Sequence, residues 1–179
     1  SRVAASPDTV KKMKDWGLNV VIQDNAGLNS NFSNEEYIKS GASISNEITD
    51  ISKSDLILKI NKPNEDEIAL MNEGSVLIAS LDPYNNTDTL NKLKDKGVIS
   101  FAMELMPRIT RAQSMDILSS QSNLAGYKAV IDATYLFNKA MPMMMTAAGT
   151  IAPAKVMVFG AGVAGLQAIA TAKRLGAIV

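Results

Sequence analysis

Gly160, Gly162 and Gly165 form G-x-G-x-x-G directly after the apolar run 155–159 (KVMVF) and directly before a stretch without charge until Lys173. Buried strand, glycine turn and helix in that order suit the cradling of a pyrophosphate. Gly160 permits the tight turn, Gly162 lets phosphates approach the backbone, and Gly165 lets helix and strand pack closely. From Val163 onward the first N–H groups of the helix have no partner within the helix, and its dipole favours an anion there. A helix merely packed close to a strand can carry the same glycines. The strand–turn–helix context favours dinucleotide binding. The acidic residue that holds a ribose is expected about 20 residues further on. That position lies beyond Val179, so the chain reads as stopping inside the next strand.

A second run of chemically capable side chains precedes this one. Arg108 is a permanent cation with a planar fork. Gln113 donates and accepts at once, which suits a carboxamide or a ribose. Asp116 can accept from a hydroxyl or balance an arginine, and Ser119 can do either. Residues 108–119 therefore read equally as a clamp for a polar ligand or as a solvated loop in which Arg108 and Asp116 pair with each other.

These residues need a scaffold, and the rest of the chain supplies its pattern. The 179 residues are 46% hydrophobic, enough for one or two cored domains. Lys+Arg and Asp+Glu balance at 18 each, which leaves no basic footprint for nucleic acid. With neither Cys nor His, the chain has no disulfide, no thiolate nucleophile, no His general base and no metal site built on those ligands. The charge-poor stretches 140–154 and 156–172 are broken by Pro142, Gly149, Pro153 and the glycine motif, so neither reads as a membrane span.

Apolar runs at 18–23, 55–60, 75–80 and 98–103 alternate with helical segments. Ser6-Pro7 starts a helix running to about Trp16, Ser33 and Glu36 form a capping box, Asn64 and Glu67 open another helix, and residues 87–96 complete the set. Alternating β and α with short connections predicts parallel sheet wound on both sides. The fold class expected is α/β, with two doubly wound parallel-sheet domains. Residues 1–122 form the first and residues 123–140 an interdomain helix. Residues 141–179 begin a Rossmann domain. A short helical piece is expected near 112–118. The long helix is expected over 123–139, with Leu124, Tyr127, Ile131 and Thr134 on its buried stripe, and 141–145 (MPMMM) as adaptable packing. The last 25 or so residues are expected to be the least stable unit, for want of flanking strands.

The segment RITRAQSMDILSSQSNLAGYKAVIDA, continued by MPMMMTAAGTIAPAKVMVFGAGVAGLQAIATAKRLGAIV, resembles the NAD-binding part of the proton-translocating NAD(P) transhydrogenase alpha subunits. RVAASPDTVKKM, LILKINKP and DEIALMNEGSVLIAS are similar to that family's first domain, a region shared more loosely with alanine dehydrogenases. The resemblance implies that the first strand of the family precedes Ser1 and that the chain is an internal fragment. It implies that Arg108, Ile109, Thr110, Gln113, Ser114, Met115 and Asp116, with Ser119 close by, contact the nicotinamide half of NAD(H). Gln113 would also face the second nucleotide, Asp116 and Ser119 would order the loop, and Gly160, Gly162 and Val163 would lie at the pyrophosphate. It further implies hydride exchange with NADP(H) held on a partner subunit, coupled to proton movement through a membrane part. A homodimer, peripheral on the cytoplasmic face of the inner membrane or the matrix side if mitochondrial, belongs to the same expectation.

An amino-acid dehydrogenase is the competing reading. That chemistry must move a proton, so it needs an acid–base residue beside the substrate. The dehydrogenases' Lys and His fall at Asn61 and Asp82 here. Lys59 and Lys62 stand near the first position, but no His can replace the second. Arg2 matches the carboxylate-binding arginine of the dehydrogenases, and both families keep the R-V-A start. A non-catalytic NAD-binding module is a third reading.

Overall fold

A computed structural model describes residues 2–179. Its contacts divide into two compact units, residues 1–106 and 107–179. Among the described residues no helix is long and apolar enough to cross a membrane.

The first unit alternates helix and strand. It runs α1 (Pro7–Asp15), β1 (Val21–Gln23), α2 (Asn34–Lys39), β2 (Ser43–Ser45), β3 (Leu56–Leu58), α3 (Glu65–Leu70), β4 (Val76–Ala79), α4 (Thr87–Asp95) and β5 (Ile99–Ala102). The helix starts follow the sequence signals. Ser6 caps α1 ahead of Pro7. Capping boxes close the heads of α2 through Ser33 and Glu36 and of α3 through Asn64 and Glu67. Each box satisfies two backbone N–H groups that the helix leaves without partners.

All the strand pairs of this unit are parallel, as the βα alternation requires, but they fall into two sheets. One has the order β3-β4-β5 with β4 central; the other pairs β1 with β2, Val21 opposite Ser43. The second strand of the smaller sheet, Ser-Ile-Ser, is too short and polar for periodicity to reveal. Leu77 and Ala79 of β4 point into a core with Ile57, Ile68, Met71, Leu81, Leu93 and Val98. A satellite core gathers Ala5, Val10, Tyr37 and Ala42, and the Tyr37 hydroxyl donates to the Ala5 carbonyl at 2.8 Å.

The second unit contains α5 (Ile117–Leu136), β6 (Met144–Thr146), β7 (Gly149–Ile151) and α6 (Val163–Arg174). The long helix begins six residues before the expected start, because Asp116 caps it. Its buried positions are Gly126 and Val130, while Leu124 and Tyr127 of the expected stripe are exposed. Residues 141–145 are not plain packing. Met144–Thr146 forms an antiparallel hairpin with Gly149–Ile151, joined through Ala147 and Ala148. The expected buried strand at 155–159 is reduced to one parallel bridge, Lys155 with Ile178. Val156 N–H donates to the Ile178 carbonyl at 2.8 Å, and Ile178 N–H donates to that of Ala154 at 2.9 Å. With a neighbour at that point alone, Met157 is 78% and Phe159 91% exposed.

Leu77 is fully enclosed at the centre of the first unit. Leu77→Ala should therefore cost about 3 kcal/mol in urea unfolding, within the range for emptied leucine sites. A loss below about 1 kcal/mol would mean that β4 is not the centre of this core.

Candidate functional site

The glycine turn is built as its spacing demands. Gly160 has φ +93, the left-handed region that a side chain disfavours. A Cβ on Gly165 would stand 2.0 Å from the Gly160 carbonyl oxygen, so only glycine fits where the helix crosses its own turn. Gly162 is the N-cap of α6, in extended conformation, and no side chain caps the helix. A Cβ placed on Gly162 would meet no protein atom within 4 Å. The N–H groups in the first turn of α6 thus stay open, with space beside the backbone. Such an arrangement accepts an anion through oriented N–H groups and the helix dipole. The residues present fit a dinucleotide pyrophosphate.

The polar run sits at the head of α5 in the same unit. Residues Thr110–Met115 wind into a 3-10 turn anchored by the buried Ala112. Asp116 ends that turn and caps α5. Its carboxylate accepts from Ser119 N–H at 2.9 Å and from Ser119 Oγ at 2.6 Å. The Asp116 carbonyl accepts from Ser120 Oγ at 2.9 Å. These bonds spend Asp116 and Ser119 on local geometry. No ion pair joins Arg108 to Asp116 among the described residues, so the self-paired loop is not formed. Arg108, Ile109, Thr110, Gln113, Ser114 and Met115 are exposed. A cation and an amide standing free beside a rigid turn can hold a polar ligand.

The Ser119 side-chain bond, followed by its backbone N–H, holds the Asp116 carboxyl below the ordinary carboxylate value, with the Arg108 charge a smaller cause. A depressed native value stabilises the capped helix at neutral pH. That contribution is lost as pH falls from about 4, the ordinary Asp value, through the native one.

Two features escaped the sequence patterns. One is the Asp116 cap, whose signal was present as an N-cap residue three before a serine. The other is the close passage of α5 over α6. A Cβ on Gly126 would stand 2.1 Å from the Ala164 carbonyl oxygen. A glycine in mid-helix costs about 1 kcal/mol against alanine, which is itself a sign of tight packing.

In the first unit, a cleft of about 490 Å³ lies beyond the C-terminal ends of β3 and β4, lined by Lys62, Asn64, Tyr84, Asn86 and Lys92 among others. Parallel sheets commonly hold ligands at that end. The cations near it are engaged. Lys59 pairs with Glu67, Lys92 with Glu65, and Lys62 Nζ donates to Asn86. Asp82 has φ +47, and its carboxylate accepts from Asn85 at 3.0 and 3.1 Å. Glu104 accepts the backbone N–H groups of both Leu81 and Asp82.

Parallel βα units and an open glycine turn before a helix define an α/β protein with a dinucleotide-binding motif. Comparison with known proteins narrows that class. The N-terminal domain model of the alanine dehydrogenase/PNT family matches residues 1–125, and the C-terminal domain model matches residues 129–179. The chain belongs to the alanine dehydrogenase/PNT family. It is 51% identical over 184 residues to the first portion of the NAD(P) transhydrogenase subunit alpha of Rhodospirillum rubrum, covering 99% of this chain and 48% of that protein. Against the NAD(P) transhydrogenase subunit alpha of Haemophilus influenzae it is 44% identical, covering 100% of this chain and 35% of the relative. Alanine dehydrogenase of Staphylococcus saprophyticus is 30% identical, covering 100% and 48%. Among solved structures, the transhydrogenase of Sinorhizobium meliloti superposes with TM-score 0.93 at 56% identity, covering 98% of this chain and 51% of that one. The chain therefore spans about half the length, or less, of the relatives it matches. The resemblance drawn from the loop and the glycine turn is borne out.

Removing the main cause of the Asp116 shift gives a direct check. In Ser119→Ala, NMR titration should show the Asp116 carboxyl moving back toward about 3.9, its ordinary value. An unmoved titration would mean that the serine bonds do not set it.

Proposed function

We propose that this chain is the NAD(H)-binding portion of an NAD(P) transhydrogenase alpha subunit. The observation that carries the reading is one unit holding both an uncapped glycine turn at Gly160–Val163 and a rigid loop whose Arg108 and Gln113 are free. The names and identities of the relatives support it.

In this reading the open N–H groups of α6 hold the pyrophosphate, and Gly162 keeps the approach clear. Arg108 steadies the nicotinamide half, with Ile109, Thr110, Ser114 and Met115 along it. Asp116 and Ser119 keep the loop's shape. Gln113 orients the carboxamide side and faces the second nucleotide. The nicotinamide supplies hydride transfer, with NADP(H) bound on a partner subunit. Such a transfer needs the reacting carbons about 3–3.5 Å apart and water excluded. It moves no substrate proton, so a loop without an acid–base residue is sufficient. Coupling to proton translocation, a homodimer and a peripheral place on the cytoplasmic or matrix face of a membrane belong to the same proposal. So does the layout of residues 1–122, 123–140 and 141–179, which the family models' division between 125 and 129 supports.

The alanine dehydrogenase relatives give the second reading its weight. The residues of the first unit weigh against it. Asn61 and Asp82 occupy the expected acid–base positions, and Lys59 is held by Glu67. Intact protein should bind NADH, ignore NADPH, and show no alanine-dependent reduction of NAD. Steady alanine oxidation would promote the dehydrogenase.

Gln113→Asn withdraws the amide by one methylene. NADH affinity should change little, while hydride transfer in the intact assembly should fall about tenfold, equivalent to about 1.4 kcal/mol of barrier. Equal losses in affinity and transfer would make Gln113 an ordinary ligand contact.

A further inference from the structure

The two pieces of the candidate site stand on different helices. The 108–116 loop ends on the cap of α5, and the glycine turn leads into α6. No hydrogen bond joins loop to turn among the described residues. Their separation is therefore set by how α5 lies on α6. The closest point of that passage is Gly126 against Ala164, in the first turn of α6. Ala164 is the second residue of α6, two beyond the Gly162 cap. A Cβ on Gly126 would meet the Ala164 carbonyl oxygen at 2.1 Å, its carbonyl carbon at 2.9 Å and its Cα at 3.0 Å. All three are backbone atoms, so no side chain can turn aside. Upstream, the ten residues from Asp116 to Gly126 form continuous helix and rise about 15 Å. A shift at Gly126 is thus transmitted through a stiff rod to the Arg108–Ser119 loop.

We propose that Gly126 is a positioning residue that sets the distance between the Arg108–Ser119 loop and the Gly160–Val163 turn, and so the fit of a ligand that spans both. This rests on the dinucleotide-binding reading given above. Gly126 touches no ligand itself. A side chain there must push the helices apart by about 1 Å to restore ordinary contact. Displacements of that size, even far from the chemistry, can cost a hundredfold in rate.

The test compares two ligands on the intact protein carrying Gly126→Ala. NADH spans loop and turn. ADP has the pyrophosphate but lacks the nicotinamide half, so on this chain it needs the turn alone. NADH affinity should fall about tenfold more than ADP affinity, with far-UV circular dichroism unchanged. Affinity losses within about threefold of each other would overturn the proposal, because loosened folding weakens both ligands alike. Unchanged NADH binding would overturn it too. Should Gly126→Ala fail to fold, Val130→Ala replaces it. Val130 is buried one turn further along the same face of α5 and adds no atoms when trimmed. It should give a split in the same direction, about threefold, and no split would overturn the proposal. Wild-type protein that binds no NADH would overturn the proposed function itself, whereas wild-type binding without a split in the variants overturns this inference alone.

Discussion

The second unit depends on a backbone contact that only glycine allows. Gly165 lies so close to the Gly160 carbonyl that an added Cβ would stand 2.0 Å from it. Everything on the nucleotide side of the motif follows from that approach. It brings the head of α6 against its own turn and leaves Gly162, rather than a side chain, at the cap. It leaves the first N–H groups without a protein partner. Buried backbone donors are normally paired, and those at an exposed helix head are paired by water or by a ligand. The turn is therefore a ready anion site before any ligand arrives.

A second contact of the same kind, Gly126 over Ala164, ties α5 to that head. At the other end of α5, the Asp116 carboxylate fixes the helix start through two bonds from Ser119. The loop before it is consequently short, wound and anchored at Ala112, while Arg108 and Gln113 face outward without partners. Rigid backbone with free side-chain donors is what pre-organised recognition requires. The absence of an Arg108–Asp116 pair matters here. An arginine neutralised within its own loop would have less to offer a ligand.

The first unit was legible where local chemistry decides structure. Ser6-Pro7, Ser33 with Glu36 and Asn64 with Glu67 each start a helix where the capping pattern stands. The apolar runs centred on Ile57, Leu77 and Ser100 became the three strands of one sheet. Less legible were features decided by distant partners. Ser43–Ser45 is a strand only because Val21–Gln23 lies beside it. The Met144–Ile151 hairpin hides in a methionine run that reads as packing. Residues 155–159 carry a strand pattern but find one neighbour, at Ile178, and remain mostly exposed. In the candidate site, residue identity and spacing were readable at Gly160, Gly162 and Gly165. The early start of α5 was not, because its first turn, Ile-Leu-Ser-Ser, lacks the apolar stripe that marked residues 123–139.

The central claim is that one dinucleotide engages both the α6 head and the Arg108–Ser119 loop. Amide hydrogen exchange on the intact protein, with and without saturating NADH, tests it most directly. NADH should slow exchange at Val163 and Ala164 and, in the same experiment, across Thr110–Met115. Protection at the glycine turn with none in the loop, or no protection at either under saturating NADH, would contradict it.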